Sequence, residues 1–300
     1  MRAFNKIETT PKFGKVSTFI GKRKFVWQKQ TYIMAILNVT PDSFSGDGFL
    51  KASRPSPREI QLAVDQGLRF EDEGADIIDV GGESTRPANI YRGAKPISAE
   101  TEMERVIPVI QQLAHRVDAP ISIDTRRASV SHAAVTNGAA MVNDVSMLNW
   151  DKSTPVTVAE LNVPLVISHN RRKSAYHDVM AEVICDLDQA VKLAIQAGIQ
   201  TRNIIVDPGI GFGKTIEQSL EAQRRLNELH VLGLPVLVGT SRKSSIGAVL
   251  GVSTENRMEG TAATVALAIE RGADLVRVHD VAIMLKVARM ADAIVRGWAT

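Results

Sequence analysis

From Ile33 onward, short apolar runs alternate with longer stretches whose apolar residues recur at helical spacing. The runs are Met34–Leu37, Ile77–Ile78, Ile121–Ile123, Met141–Val142, Pro164–Ile167, Ile204–Val206, Pro235–Val238 and Leu275–Val276. Each is short and apolar on both faces, the pattern of a strand buried in a parallel sheet. The stretches between them predict helices. Ser56-Pro57-Arg58-Glu59 is a capping box with proline at the first helical position, and the helix it opens is expected to stop near Gly74. Met103, Val106, Ile107, Ile110, Leu113 and Val117 share a helical face that Pro108 should bend. Further helices are predicted over 127–137, 178–197, 216–230, 256–271 and 281–296. Glu73-Gly-Ala-Asp-Ile-Ile-Asp-Val80 and Glu270-Arg-Gly-Ala-Asp-Leu-Val-Arg-Val278 read as one local solution used twice, a helix-ending glycine followed by a strand. Eight strand–helix units fit a (β/α)8 TIM barrel. A doubly wound sheet shares this alternation, and periodicity alone does not separate the two. Ahead of the barrel, Val16 to Trp27 reads as two strands turning at Gly21 to Arg23. The expected organisation is α/β, with residues 1–30 an N-terminal β-hairpin extension and residues 31–300 a single barrel.

What ends each run carries the chemistry. The runs lead in turn to Asn38, Asp79, Asp124, Asn143-Asp144, Ser168-His169-Asn170, Asp207, Thr240-Ser241-Arg242-Lys243, and Arg277 with His279. Any one of these residues serves equally well as a helix cap. All eight ends being polar points instead to a mouth at the C-terminal ends of the strands, where barrels keep their active sites. Asp124, Asn143, Asp207 and Lys243 offer donors and acceptors suited to a flat nitrogen heterocycle. Asn38, Thr85, Arg86, Arg277 and His279 suit a polyanion. Gly213-Lys214-Thr215 resembles the end of a P-loop, but Pro208 stands where its first glycine belongs. Gly209, Gly211 and Gly213 lack dinucleotide-fingerprint spacing and read as a mouth loop approached closely by backbone or ligand. His169 and His279 stand at strand ends, without metal-type spacing, while the remaining histidines read as surface or packing residues. Lys243 is also a candidate Schiff-base lysine, although Arg242 beside it and the helix start at Ser244 favour an anion- or carbonyl-binding corner.

Composition removes other classes. At 44% hydrophobic and 23% charged over 300 residues, disorder, collagen and coiled coil do not fit. The single cysteine, Cys185, excludes an intrachain disulfide framework and any multi-cysteine metal site, which suits a reducing compartment. No apolar run approaches the roughly 18 residues of a membrane span, and Met1 to Thr10 lacks a signal-peptide core, so a soluble cytoplasmic protein without membrane contact is expected. A net charge of +3 suits a small anionic substrate. Lys22-Arg23-Lys24, the densest basic run, reads as a solvated face rather than a nucleic-acid patch.

Five segments are recognisable together: Ile36-Leu-Asn-Val-Thr-Pro-Asp-Ser-Phe-Ser45, Asp79-Val-Gly-Gly-Glu-Ser-Thr-Arg-Pro87, Asp207-Pro-Gly-Ile-Gly-Phe-Gly-Lys214, Gly239-Thr-Ser-Arg-Lys-Ser244 and Arg277-Val-His279. In this order they resemble the dihydropteroate synthases, over about residues 33 to 297. The resemblance implies a (β/α)8 barrel that condenses 6-hydroxymethyl-7,8-dihydropterin diphosphate with p-aminobenzoate. The products would be 7,8-dihydropteroate and pyrophosphate, in a step of folate synthesis that uses Mg2+. The resemblance also implies a homodimer formed through the barrel helices and a sulfonamide target. Carried over by motif, Asp124, Asn143, Asp207 and Lys243 would bind the pterin, and Asn38 the metal. Asn38, Thr85, Arg277 and His279 would hold the diphosphate, and Asp124, Lys243, Arg277 and His279 would act in catalysis. Thr85, Arg86, Pro87, Phe212 and Ser244 would shape the p-aminobenzoate pocket. The loops from Thr40 to Phe44 and from Ser84 to Pro87 would close over the site.

The chain departs from the family in three places. Ser168-His169-Asn170, followed by a short Arg171-Arg172-Lys173 segment, stands where Met-His-Met is usual, so a polar Asn170 replaces an apolar pterin contact. Ser45-Gly46-Asp47-Gly48 differs from the common Ser-Asp-Gly-Gly. Residues 1–30 lie outside the motifs and are expected to plug the bottom of the barrel. Three rival functions follow. A pterin-dependent corrinoid methyltransferase shares the barrel, but the Ser-Thr-Arg-Pro and Ser-Arg-Lys-Ser segments favour diphosphate and benzoate. A non-catalytic pterin-binding paralogue would bind the pterin diphosphate without releasing pyrophosphate, and a Schiff-base aldolase would be trapped on Lys243 by borohydride.

Overall fold

The computed structural model describes residues 17–40, 55–83 and 96–298. It opens with an antiparallel hairpin, β1 (Ser17–Ile20) and β2 (Arg23–Val26), turning at Gly21 with φ at 57°. Eight parallel strands follow: β3 (Tyr32–Asn38), β4 (Ile77–Gly81), β5 (Ile121–Asp124), β6 (Met141–Asp144), β7 (Leu165–Ser168), β8 (Ile204–Asp207), β9 (Leu237–Val238) and β10 (Leu275–Val278). They pair in the order β8-β7-β6-β5-β4-β3-β10-β9, and a parallel bridge between Val206 and Val236 joins the two ends of the row. The sheet closes on itself as a barrel, which separates it from a doubly wound sheet.

Helices α1 (Pro57–Asp72), α2 (Ala99–Ala114), α3 (Ala128–Thr136), α4 (Thr154–Leu161), α5 (Val179–Gln196), α6 (Ile216–Arg224), α7 (Ser244–Leu250) and α8 (Met258–Glu270) lie between the strands, and α9 (Val281–Val295) follows β10. The Ser56 capping box forms as read: its side chain accepts from the Glu59 amide, and the Glu59 carboxylate accepts from the Ser56 amide. Pro108 sits inside a continuous α2. The helix expected over 216–230 ends at Arg224, and a 3-10 segment, Leu226–Leu232, takes over. Leu226 and Leu229, three residues apart, are both buried there, a spacing that suits three residues per turn better than 3.6.

The barrel core divides by strand parity. Residues pointing outward, such as Ile78, Val80, Ile123, Val142, Ile167, Val206 and Val276, pack under the helices. Residues pointing inward at the lower level, Met34, Ile77, Met141, Val166, Ile205, Leu237 and Leu275, form a second apolar cluster with Ile20, Phe25, Trp27 and Tyr32 of the hairpin region. The hairpin therefore plugs the bottom of the barrel, as expected. Phe25 lies 4.7 Å from Tyr32 and 5.8 Å from Trp27, ring to ring. Trp27 Nε1 donates to Thr18 Oγ1, which donates to the Arg202 carbonyl.

The twice-used Gly-Ala-Asp segment has a structural purpose. Gly74 and Gly272 end their helices at φ of 94° and 91°. The aspartate that follows each is buried and braces the bottom of the barrel. Asp76 accepts from the Ile33 amide and pairs with Arg23, while Asp274 accepts from the amides of Gln28 and Val236.

Candidate active site

Two residues further along five of the strands, the inward positions turn polar. Above Ile77 stands Asp79, above Met141 Asn143, above Val166 Ser168, above Ile205 Asp207 and above Leu275 Arg277. Asp124 joins them from β5. Arg277 Nε donates to Asp79 Oδ2 (2.6 Å) and Nη2 to Asp124 Oδ2 (2.7 Å), while Asn143 Nδ2 donates to Asp79 Oδ2 (3.0 Å). Across the barrel, Asp207 Oδ1 accepts from the Gly209 amide (2.7 Å), and Oδ2 lies 3.4 Å from Ser168 Oγ. The result is a polar layer resting on an apolar floor.

That layer is incompletely satisfied. Asp79 Oδ1, Ser122 Oγ, Asp124 Oδ1 and Asn143 Oδ1 are buried without a hydrogen-bond partner. A buried polar atom left this way costs about 1–3 kcal/mol, so a cluster of them marks a surface built to receive donors. Burial pushes the Asp124 carboxyl from its usual 3.8 up to about 7, with Asp79 adding to the rise and Arg277 opposing it. Burial also raises Asp207, against the Gly209 amide and Lys243.

The loop after β8 supplies one wall. Gly209, Gly211 and Gly213 all have positive φ, and a Cβ on Gly209 would come 1.8 Å from the His169 carbonyl oxygen. Gly211 leaves room for the Lys243 stem, since a Cβ there would meet Lys243 Cδ at 3.4 Å. Lys243 Nζ lies 4.4 Å from the centre of the Phe212 ring. Ser244 opens α7 directly after Lys243. His279 is held by Ser241, whose Oγ lies 2.9 Å from Nδ1 and accepts from the His279 amide at 3.3 Å. Arg242 is engaged in a two-pronged pair with Asp280.

The structure thus brings Asp124, Asn143, Asp207, Lys243, Phe212 and Arg277 around one interior, with Asn38, Ser244 and His279 at strand or helix ends of the same mouth. Thr85, Arg86 and Pro87 lie outside the described residues, as do 41–44 of the first loop and the Ser45-Gly46-Asp47-Gly48 departure. The described flanks of the second loop are clamped. Glu83 Oε1 accepts from Arg126 Nη2 (2.9 Å) and the Ile97 amide, and Arg127 bridges Glu83, Glu102 and the Ile97 carbonyl.

The altered segment after β7 takes on a different meaning. His169 follows inward-facing Ser168, so its ring points out of the barrel. Its Nε2 donates to Asp186 Oδ2 on α5 (3.0 Å), and its Nδ1 accepts from Lys214 Nζ (2.9 Å). Burial and the Lys214 charge hold His169 down at about 3, and burial lowers Lys214 to about 7. Lys214, read as a failed P-loop fragment, also donates to the carbonyls of Gly209 and Phe212, and so secures the glycine loop. Asn170 donates to the Val145 carbonyl (2.8 Å). Ser168, beside Asp207, is the part of the departure that faces the interior. Sequence reading placed Asp79 at a strand end without giving it a role, read Lys214 only as a failed P-loop fragment, and passed over Arg127; strand parity alone would have turned Asp79 inward.

The comparisons agree with this geometry. A family model described as pterin binding enzyme matches residues 34–279. A dihydropteroate synthase of Clostridium beijerinckii is 45% identical over 278 residues, covering 92% of this chain and 99% of the relative. A solved dihydropteroate synthase of Clostridium difficile, obtained in the presence of pteroic acid, superposes with a TM-score of 0.84 at 45% identity, over 91% of this chain and 99% of that one. The Xanthomonas albilineans dihydropteroate synthase with 4-aminobenzoic acid gives 0.84 at 40% identity, over 94% and 98%. The chain belongs to the pterin binding enzymes and, within them, to the dihydropteroate synthases.

Proposed function

We propose that the polar layer binds the pterin and that the mouth above it handles the diphosphate and p-aminobenzoate. The chain is a transferase of folate synthesis, condensing 6-hydroxymethyl-7,8-dihydropterin diphosphate with p-aminobenzoate to give 7,8-dihydropteroate and pyrophosphate. The observation that carries the site reading is the set of buried, unpartnered oxygens on Asp79, Asp124 and Asn143 beside Arg277. A 2-amino-4-oxo pyrimidine ring offers N–H donors along one edge and acceptors along another. Asp124 meets the donors, Asn143 accepts through Oδ1, and Lys243 and Asp207 serve the opposite edge.

Breaking the bond between the pterin methylene and the diphosphate oxygen leaves positive charge on the pterin and negative charge on the leaving group. Asp124 and Asp207 favour the first, while Arg277 and His279 favour the second. The arylamine is neutral at pH 7, so its attack requires no strong base. Thr85, Arg86, Pro87, Phe212 and Ser244 are assigned to p-aminobenzoate. Among the described residues, no three or more His, Cys, Asp or Glu side chains group to hold a metal. One amide oxygen from Asn38, at the inward end of β3, fits an ion that keeps most of its waters and binds substrate phosphates, as Mg2+ does. When bound, Mg2+ would neutralise charge on the departing diphosphate.

A homodimer is supported by α8 and α9, which pack together yet expose Leu267, Ile283, Met290 and Ile294. The last three share one outer face of α9, at spacings of seven and four. No helix of the described residues is long and apolar enough to cross a membrane. The lone exposed thiol of Cys185 suits the reducing cytoplasm.

The test follows pyrophosphate and dihydropteroate together, with and without p-aminobenzoate and Mg2+. Both products should appear only when p-aminobenzoate and Mg2+ are present. Asp124→Ala should abolish pterin binding, and normal turnover in that variant would overturn the site assignment.

A further inference from the structure

Asp79 is given no contact with the substrate in the scheme above, yet it and Arg277 each tie two other residues of the polar layer together. It is fully buried, and its Oδ2 joins Arg277 of β10 to Asn143 of β6 across the barrel interior. The next inward position on β4 is Gly81, where a Cβ would lie 3.5 Å from Asp124 Cβ and 3.7 Å from its Oδ2. Glycine there keeps the space beside the Asp124 carboxylate open.

We propose that Asp79 is a positioning residue for the pterin: its shared oxygen orients the Asn143 amide and anchors Arg277 while the substrate takes up Asp124. The inference deepens, and rests on, the pterin reading of Asp124, Asn143 and Arg277. Two features of the geometry lead to it. An amide can present either its oxygen or its nitrogen to a ligand, and the neighbouring bonds decide which. Because Asn143 Nδ2 donates to Asp79, its Oδ1 is the end left to accept from the substrate, and that oxygen is buried without a partner. The second feature is competition at Asp124. Two parallel N–H groups of a pyrimidine edge engage both oxygens of a carboxylate. Asp124 Oδ1 has no partner, but Oδ2 already accepts from Arg277 Nη2. Seating the pterin shares or displaces that bond, and the Nε bond to Asp79 then keeps the guanidinium at the site instead of releasing it.

Asp79→Asn preserves the shape but replaces one acceptor with a donor and removes the charge. The Kd for pterin diphosphate should rise about tenfold to hundredfold, as expected for loss of a charge-assisted hydrogen bond. The Kd for 6-hydroxymethyl-7,8-dihydropterin, which lacks the diphosphate, should rise by a similar factor. The pH at which pterin binding switches on should fall by about one unit, because a negative neighbour of Asp124 has been removed. The other charged groups facing Asp124, namely Arg277 on β10, Glu102 on α2 and Asp144 on β6, are unchanged in this variant. A merely structural defect would weaken binding without moving that midpoint downward. If Asp79→Asn does not fold, the wild-type enzyme provides a second readout: the Arg277 Nε–H NMR signal should persist on pterin binding while the Nη signals shift. Wild-type affinity and midpoint in Asp79→Asn, or loss of the Nε–H signal on binding, would overturn the proposal. The pterin reading would still stand if Asp124→Ala had lost binding; a wild-type enzyme that binds no pterin would overturn both.

Discussion

Phe25 is the centre of the hairpin plug, and Phe25→Ala tests whether the plug belongs to the barrel core. The side chain is 0% exposed and packs among Ile20, Trp27 and Tyr32 over the inward residues of the barrel strands. An aromatic side chain buries about 150–250 Å², which at about 25 cal/mol per Å² corresponds to roughly 4–6 kcal/mol. Measured Phe→Ala losses in cores run at about 3–5 kcal/mol, so the two routes agree. Against a typical total of about 5–15 kcal/mol, that is a large share of the stability. Urea unfolding followed by tryptophan fluorescence should show it, because Trp27 lies against the substituted ring. Phe19, on the same hairpin but 60% exposed, is the internal control: Phe19→Ala should stay within about 0.5 kcal/mol. The Km for pterin diphosphate should hold within about twofold in folded Phe25→Ala, since the polar layer rests directly on Ile77, Met141, Ile205 and Leu275. A loss below about 1 kcal/mol for Phe25→Ala would refute the plug as part of the core.

Other outcomes follow from the site. Asp124 is raised from 3.8 to about 7, so it carries a proton in the free enzyme below that pH and lacks the charge that a donor edge needs. Pterin affinity should therefore increase as pH rises through about 7, with proton release on binding below it, measurable by calorimetry in buffers of different ionisation enthalpy. By the same linkage, Asp124 lowers fold stability as pH climbs from about 4 to about 7, and no further. Gly209→Ala should abolish turnover, since its φ of 65° and the His169 carbonyl 1.8 Å from the new Cβ force the loop to move. Gly251→Ala, with φ of 68° and nothing within 4 Å, should cost only about 1–2 kcal/mol and keep full activity. Met290→Glu with Ile294→Glu should yield a monomer by light scattering, and a retained dimer would remove α9 from the interface.

The strands were legible because each carries the same message twice, apolar on both faces and polar at its end. All eight fall within a few residues of the apolar runs read from the chain. The short α4 was not legible, because Pro155 at its start reads as a breaker in sequence although it serves as a first-turn proline in the structure. At the site, Asp124, Asn143 and Asp207 were found by position at strand ends. His169 was also at a strand end but faces α5, because the inward position before it belongs to Ser168. Lys214 was obscured by its motif: its partners are two loop carbonyls and a histidine 45 residues away, and no local pattern encodes them.

The hairpin also sets an order on biosynthesis. Its strands are made before those of the barrel, but their partners come much later in the chain: Thr18 needs the carbonyl of Arg202, Gln28 needs Asp274, and neighbouring Thr31 needs Asp292. Ile20, Phe25 and Trp27 therefore remain uncovered until nearly the whole barrel has been translated. The segment made before the barrel strands is the one that locks last, and a nascent chain truncated before Asp274 carries an exposed aromatic cluster with no closed barrel to receive it.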